Sequence, residues 1–286
     1  MRLKFKILIT ILLLILLGTV VYLYAMFIGT KGFMVKEYKV ESSKISKDYN
    51  GLKIAHISDI HYGNQSVTKK DLEKIVDNIN SLKPDIIVLT GDLVDNNITN
   101  EQYEELVEVL GKLKANINKY AIDGNHDYPY KKWNVLIEDC GFINLNDTYD
   151  VIYNNSYDSI FIAGISNNTF TTKNIKDKSE VIMDYLNSND YHSTYSILLM
   201  HEPDYIDDID YSKFDIVMAG HSHNGQVRLP IIGALYVPEG SKKYYKEHYS
   251  LKDTDLYISS GIGTSSLPIR LFDRPSANFY RIVKKD

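Results

Sequence analysis

The sequence predicts an α/β protein. Two β-sheets of mixed strand direction pack face to face with helices outside, and one N-terminal transmembrane helix precedes them. Three observations carry this reading. Short apolar runs recur at Leu52–Ile57, Ile86–Leu89, Tyr120–Ile122, Ile197–Met200 and Ile216–Ala219, of a length that suits buried strands. The first of these runs alternate with stretches whose apolar residues fall at helical spacing, the signature of βαβ units. Later runs are separated by turn residues instead, which suits antiparallel pairing and so a mixture of directions.

Ile7 to Ile28 is an uncharged run of 22 residues rich in Leu and Ile. As a helix it reaches ~33 Å, enough for the ~30 Å hydrocarbon core of a bilayer. Tyr22-Leu23-Tyr24-Ala25-Met26-Phe27 has no small-residue cleavage site, so the run reads as an uncleaved anchor and not as a signal peptide. Tyr22 and Tyr24 suit the membrane interface. Arg2, Lys4 and Lys6 precede the span, whereas Lys31 and Lys36 follow it. This modest bias predicts a single-pass protein of the cell membrane, with a cytoplasmic N-terminus and an extracytoplasmic globular domain. Four regions result: a basic N-terminus at 1–6, the anchor at 7–28, a polar tether at 29–50 admitting one edge strand around Tyr38–Val40, and the domain at 51–286.

Within the domain, Thr68 with Asp71 marks a helix start, and Leu72, Ile75, Val76 and Ile79 follow at helical spacing. Asn100 caps a second helix with Tyr103, Leu106, Val107, Leu110 and Leu113 on its apolar face. Trp133, Leu136, Ile137 and Cys140 make a third helical pattern, in which the single cysteine behaves as a small core hydrophobe. Tyr149–Tyr153 and Ser159–Ile162, joined by Asn154-Asn155-Ser156, read as a hairpin. Short strands follow at Gln226–Leu229, Leu256–Ser259 and Asn278–Val283.

Composition removes some functions. The formal charge is −5, and −9 once the four cations of the first 31 residues are set aside. A non-specific nucleic-acid binder needs a basic footprint that this chain lacks. One cysteine excludes both an intramolecular disulfide framework and a multi-thiolate zinc site.

Five polar clusters follow the five strand runs: Asp59-Ile60-His61, Gly91-Asp92, Gly124-Asn125-His126-Asp127, His201, and Gly220-His221-Ser222-His223. Open α/β sheets build their sites outside the carboxyl ends of parallel strands, so clusters far apart in sequence can share one rim. Asp59 and His61, two apart on an extended backbone, point the same way. Asp92 has two carboxylate oxygens and can bridge two cations. Asn125 offers a neutral hard oxygen, leaving His126 free for acid chemistry. Taken singly, each cluster is also an ordinary turn or surface pair; five in this order are not. Oxygen and nitrogen donors without thiolate suit Mn²⁺, Fe or Zn²⁺.

These blocks resemble the five-block signature of the calcineurin-like metallophosphoesterases from about Leu52 to Gln226. His56-Ile57-Ser58-Asp59, Thr90-Gly91-Asp92-Leu93-Val94-Asp95 and His223-Asn224-Gly225-Gln226 are similar to the bacterial membrane-associated branch, with one departure at Asn224, where that branch often has Gly. The resemblance implies a four-layer α/β/β/α sandwich holding two divalent metal ions. Asp59, His61, Asp92 and His223 would hold the first, and Asp92, Asn125, His201 and His221 the second. His126 would bind phosphate or protonate the leaving oxygen, with Asp127 orienting its ring. A metal-activated hydroxide would then hydrolyse a phosphodiester or pyrophosphate.

The expected substrate is a phosphate ester, lipid-linked or derived from the envelope, since the anchor keeps the domain near the bilayer. Two alternatives stand beside this: a phosphomonoesterase or protein phosphatase on the same metal pair, and a non-catalytic metal-binding module. Arg228, Arg270 and Arg274 follow the last metal block and are candidate substrate residues, arginine being well shaped for phosphate, with ordinary ion pairing as the plainer reading. His56 reads as a packed support for a ligand, Asp95 as a loop cap or a brace for Asp92, and His192 and His248 as surface residues.

Overall fold

A strand covered on both faces reads as a continuous apolar run, and the central strands of this chain do so. The structure is a computed structural model that describes residues 2–64, 66–153, 157–167, 174–188 and 190–285. Helix α1 (Arg2–Phe27) is followed by β1 (Met34–Ser42), β2 (Leu52–Ile57), α2 (Lys69–Ser81), β3 (Ile86–Thr90), α3 (Asn100–Leu110), β4 (Asn118–Ile122), α4 (Trp133–Asp139) and β5 (Ile143–Asn144). Then come β6 (Thr148–Tyr153), β7 (Ser159–Ile165), α5 (Ile175–Asn187), β8 (Tyr195–Met200) and β9 (Ile216–Ala219). A small hairpin, β10 (Arg228–Leu229) and β11 (Gly233–Ala234), precedes β12 (His248–Leu251), β13 (Thr254–Ile258) and β14 (Ser276–Lys284).

The strands form two six-stranded sheets, ordered β1-β14-β2-β3-β4-β5 and β12-β13-β9-β8-β7-β6. Both are mixed. In the first, β14 runs antiparallel to β2 while the other pairs are parallel. In the second, the antiparallel pairs lie at the two ends. Period-two alternation then sorts side chains into layers. Ile54, Val88 and Tyr280 face Ile162, Ile197 and Met218 between the sheets. Ala55, Leu89 and Phe279 turn outward onto α2, α3 and α4. On the far face, Phe161, Leu198 and Val217 pack against Ile182 and Leu186 of α5. The result is the expected four-layer sandwich.

Local chemistry sets the helix starts. Thr68 and Asp71 form the reciprocal capping box that the sequence indicates. The second helix is capped by Thr99, which pairs with Gln102, and not by Asn100. The hydroxyl accepts from the backbone three residues on while the glutamine returns the bond, a geometry available only one residue earlier. The turn proposed at Asn154-Asn155-Ser156 lies outside the described residues, but the strands it joins pair as expected over Thr148–Tyr153 and Ser159–Ile165. Helix α5 went unread in the sequence.

The segment read as a tether is largely part of the domain. All nine residues of β1 pair in parallel with β14, and Val40, Ile45 and Tyr49 enter the central core. Tyr49 also donates its hydroxyl to the Ile152 carbonyl of the second sheet (2.8 Å). An edge strand with one wet face mixes polar and apolar residues, which is why the segment looks like a linker. Helix α1 begins earlier than the apolar run and takes in Arg2, Lys4 and Lys6; Ala25 is its one buried residue. At 26 residues it is about 39 Å long, long and apolar enough to cross a membrane.

A chain starting at Gly32 should therefore melt as one cooperative unit. A chain starting at Gly51 loses β1, bares the β14 edge and leaves a gap in the central core. Its thermal midpoint should fall by at least about 5 °C, with aggregates on size exclusion. Equal melting of the two chains would show that β1 is dispensable.

Candidate metal centre

Each polar cluster begins where a parallel strand stops. Asp59 and His61 follow β2, Asp92 follows β3, and Asn125 and His126 follow β4; His201 follows β8, and His221 and His223 follow β9. The first three strands are neighbours in one sheet and the last two in the other. The loops are tied by backbone: Asp59 N–H donates to the Gly91 carbonyl and His61 N–H to that of Asp92, both at 3.0 Å. Across the sheets, His221 N–H donates to Asp59 Oδ1 at 3.0 Å. Asp59, His61, Asp92, His221 and His223 all adopt φ between +47° and +66°. Such left-handed residues cost roughly 1–3 kcal/mol each and collect at functional sites. Close approach is also built in. A Cβ on Gly91 would lie 2.6 Å from Nδ1 of His201, and one on Gly220 2.7 Å from Oδ2 of Asp59.

Asp59, His61 and His223 offer one donor atom each within 4.8 Å of one another, as do Asp92, His201 and His221. Asp92 joins the two groups: its Oδ2 lies 3.6 Å from His61 Nε2 and 3.3 Å from His201 Nε2. Asn125 Oδ1 is 3.1 Å from the same His201 nitrogen. In the first group, His61 Nε2 and His223 Nε2 face each other at 3.0 Å, with an Asp59 oxygen 3.4 Å from the latter. Lone-pair donors this close repel unless a proton or a cation lies among them. The residues thus fit divalent metal. His61, Asp92 and His126 form a third such group, so His126 stands nearer the donors than the sequence suggests.

Hydrogen bonds behind the rings choose their tautomers. His201 donates from Nδ1 to the Thr90 carbonyl (2.7 Å), leaving Nε2 as the donor atom for a cation. His221 donates from Nε2 to the Glu239 carbonyl (2.6 Å), leaving Nδ1. Burial, with His201 beside it, pushes His221 down to about 3, which keeps it neutral. Burial also holds His223 well below the usual imidazole range, helped by His61 and Arg270. For His201 burial works against a charge, yet Asp92 and Asp59 overcome it and raise its pKa well above the ordinary value. His56 is the packed support expected: buried, it meets Thr90 Oγ1 at 2.8 Å.

Two expectations need correction. Asp127 does not orient His126. Its carboxylate accepts from the backbone N–H groups of Val94 (3.0 Å) and Gly124 (2.9 Å), fastening two site loops together. The ring is held by Asp95, whose Oδ1 lies 2.7 Å from His126 Nδ1. Asp95 stands three residues after Asp92, and only the fold brings it to His126.

The arginines also depart from expectation. Arg270 is fully buried, donating to the carbonyls of Ser260 and Gly263 (2.7 Å each) and to Asp273 (2.8 Å), and it reaches His223 Nδ1 at 3.3 Å. It holds the loop behind His223 and is buried from solvent, so it is closed to substrate. Arg228 and Arg274 line a neighbouring cleft and not the metal cleft. The metal cleft, about 400 Å³, has Asp92, His126 and His221 at its floor and Leu235, Tyr236 and Leu267 among its walls.

The family described as calcineurin-like phosphoesterase matches residues 52–225. Over 274 residues the chain is 31% identical to metallophosphoesterase YkuE of Bacillus subtilis, covering 91% of this chain and 89% of that one. YkoQ of the same organism is 28% identical over 284 residues, covering 94% and 99%. A Danio rerio transmembrane protein with a metallophosphoesterase domain is 27% identical across 84% of this chain and 55% of its own. Among solved structures, TT1561 of Thermus thermophilus has a TM-score of 0.52 at 12% identity, covering 74% of this chain and 91% of that chain, which shows the shared fold.

With Asp92 and Asp59 raising the His201 pKa well above its ordinary value, metal binding at its Nε2 should release a proton. Titrating Mn²⁺ into metal-free protein at pH 6.5, in two buffers of different ionisation enthalpy, should give heats that differ. The difference should shrink as pH rises through the titration of His201. Identical heats at pH 6.5 would mean that its proton stays.

Proposed function

Since the chain belongs to the calcineurin-like phosphoesterase family, we propose that it is a membrane-anchored, two-metal phosphoesterase cleaving phosphodiester or pyrophosphate bonds in lipid-linked or envelope-derived substrates. The observation that carries the reading is Asp92, placed between two donor groups with His126 at their mouth.

Asp59, His61, Asp92 and His223 would hold one cation; Asp92, Asn125, His201 and His221 would hold the other. Cations bound there supply Lewis-acid charge for the phosphoryl oxygens and a more acidic water. The chain's own residues do the rest. Thr90 and Glu239 carbonyls fix the ligating rings, and Asp127 clamps two of the loops. With Nδ1 engaged by Asp95, His126 keeps Nε2 for a proton, which it delivers to the leaving oxygen as the P–O bond breaks. The ring is part-exposed, as a group that meets substrate must be.

Diester over monoester follows from the lining. Among the described residues lining the metal cleft, none is Lys or Arg. A terminal dianion would gain little there beyond the metals, whereas a second, apolar substituent has Leu235, Tyr236 and Leu267 to rest on. Ile231 and Ile232, at the tip of the β10–β11 hairpin, are more than two-thirds exposed. The anchor docks on the adjoining loop, where Arg270 N–H donates to the Ala25 carbonyl (2.9 Å). Apolar walls beside an anchor suit an amphiphilic ester taken from the bilayer. The modest excess of basic residues before the span favours a cytoplasmic N-terminus and an outside domain.

Two measurements test this. His126→Ala should retain its metals by elemental analysis and lose roughly 10²–10⁴-fold in kcat, with Asp95→Asn intermediate; loss of metal on His126→Ala would make it a ligand. The enzyme should turn over bis-p-nitrophenyl phosphate faster than p-nitrophenyl phosphate, and the reverse order would favour the monoesterase.

A further inference from the structure

Between the last turn of α1 and the domain lies a second cleft, larger than the first at about 940 Å³. We propose that it binds the phosphate-bearing headgroup of an anionic membrane lipid, separately from the metal centre. Tyr24 and Ile28 of the anchor form part of its wall, so it opens where the span leaves the hydrocarbon, at headgroup level. Lys31, Lys36, Arg228, Lys246 and Arg274 line it.

Its two carboxylates are already engaged. Glu247 pairs with Lys36 at 2.7 Å, and Asp273 with Arg270 at 2.8 Å. Lys31 pairs with Asp71 at 3.0 Å. Among the described residues, no carboxylate pairs with Arg228, Lys246 or Arg274. Arg228 is nonetheless held in place, donating from Nη1 to the carbonyl and side-chain oxygens of Asn224 (2.6 and 2.7 Å). Both acceptors are neutral, so its charge remains uncompensated. Asn224 is itself fixed by a bond to Asp273 (3.0 Å). The departure from Gly noted in the sequence thus supplies an arm that positions a cation.

The cleft's apolar side completes an amphiphile's site. Phe272 is 68% exposed and Ile28 59% exposed, side chains that a bilayer would cover. Phe272 also keeps φ at +55°, a costly conformation for an exposed aromatic that has no other evident use. Cations and exposed apolar side chains sharing one cleft match a phosphatidyl headgroup with its chains in the membrane.

The test uses the full chain in neutral detergent, titrated with phosphatidylglycerol, phosphatidylcholine or inorganic phosphate and followed by native mass spectrometry. Wild type should bind phosphatidylglycerol in preference to both others. Lys246→Ala/Arg274→Ala should weaken it roughly tenfold or more, at about fivefold per charge, and Lys246→Glu alone should act in the same direction. Lys284→Ala/Lys285→Ala, at the other end of β14, should change nothing, and His126→Ala should bind as wild type. Diester hydrolysis in detergent should be unaltered in Lys246→Ala/Arg274→Ala, so the lipid site and the catalytic reading fail separately. Equal binding of phosphatidylcholine, unchanged affinity in Lys246→Ala/Arg274→Ala, or loss of lipid in His126→Ala would overturn the proposal. Tight binding of inorganic phosphate would reassign the cleft to a soluble ligand.

Discussion

The Asp92 carboxylate is buried within 3.6 Å of an imidazole from the first sheet and 3.3 Å of one from the second. An ionised carboxylate is costly to bury without compensation, and here the compensation comes from both halves of the sandwich. Burial pushes its pKa up, but His201 and His61 outweigh that and hold it well below the usual range. One charge therefore couples two sheets that meet mainly through apolar packing. The loops around it accept left-handed backbone and glycine close approach to maintain that convergence.

The packing explains how so irregular a rim stays fixed. Parallel strands end at similar heights, and their backbone ladders continue a little past the last apolar residue through bonds such as Asp59 to Gly91. Asp127 then closes two loops from below, and Arg270 closes a third by spanning carbonyls and Asp273. Neither residue is placed to touch substrate. Both are buried titratable groups whose partners are local loop elements, so removing either would leave polar backbone without its partner inside the protein.

Sequence periodicity was enough for the layers because buried parallel strands and amphipathic helices write distinct patterns. The polar cluster at the strand ends was equally legible, since Asp, Asn and His directly after an apolar run have few ordinary explanations when five such cases occur in order, and the fold does bring them together. What stayed hidden depended on side-chain direction. Nothing in the spacing says that Asp95 and not Asp127 meets His126, because both lie one turn from a ligand. Arg270 looked like a phosphate binder by composition, and its burial follows from a loop that only the folded chain defines. The strand Met34–Ser42 was legible only around Tyr38–Val40 and was assigned to a tether for another reason: an edge strand has one wet face, and its polar residues look like those of a linker.

The short join between α1 and the domain bears on how the two move together. Six residues separate α1 from β1, and Arg270 N–H holds the helix end through Ala25. A helix joined so closely does not swing on a leash; it keeps one bearing on the fold. Were α1 to span a bilayer, as proposed, substrate would be met by lateral diffusion at one fixed height and not by a domain ranging freely through solution.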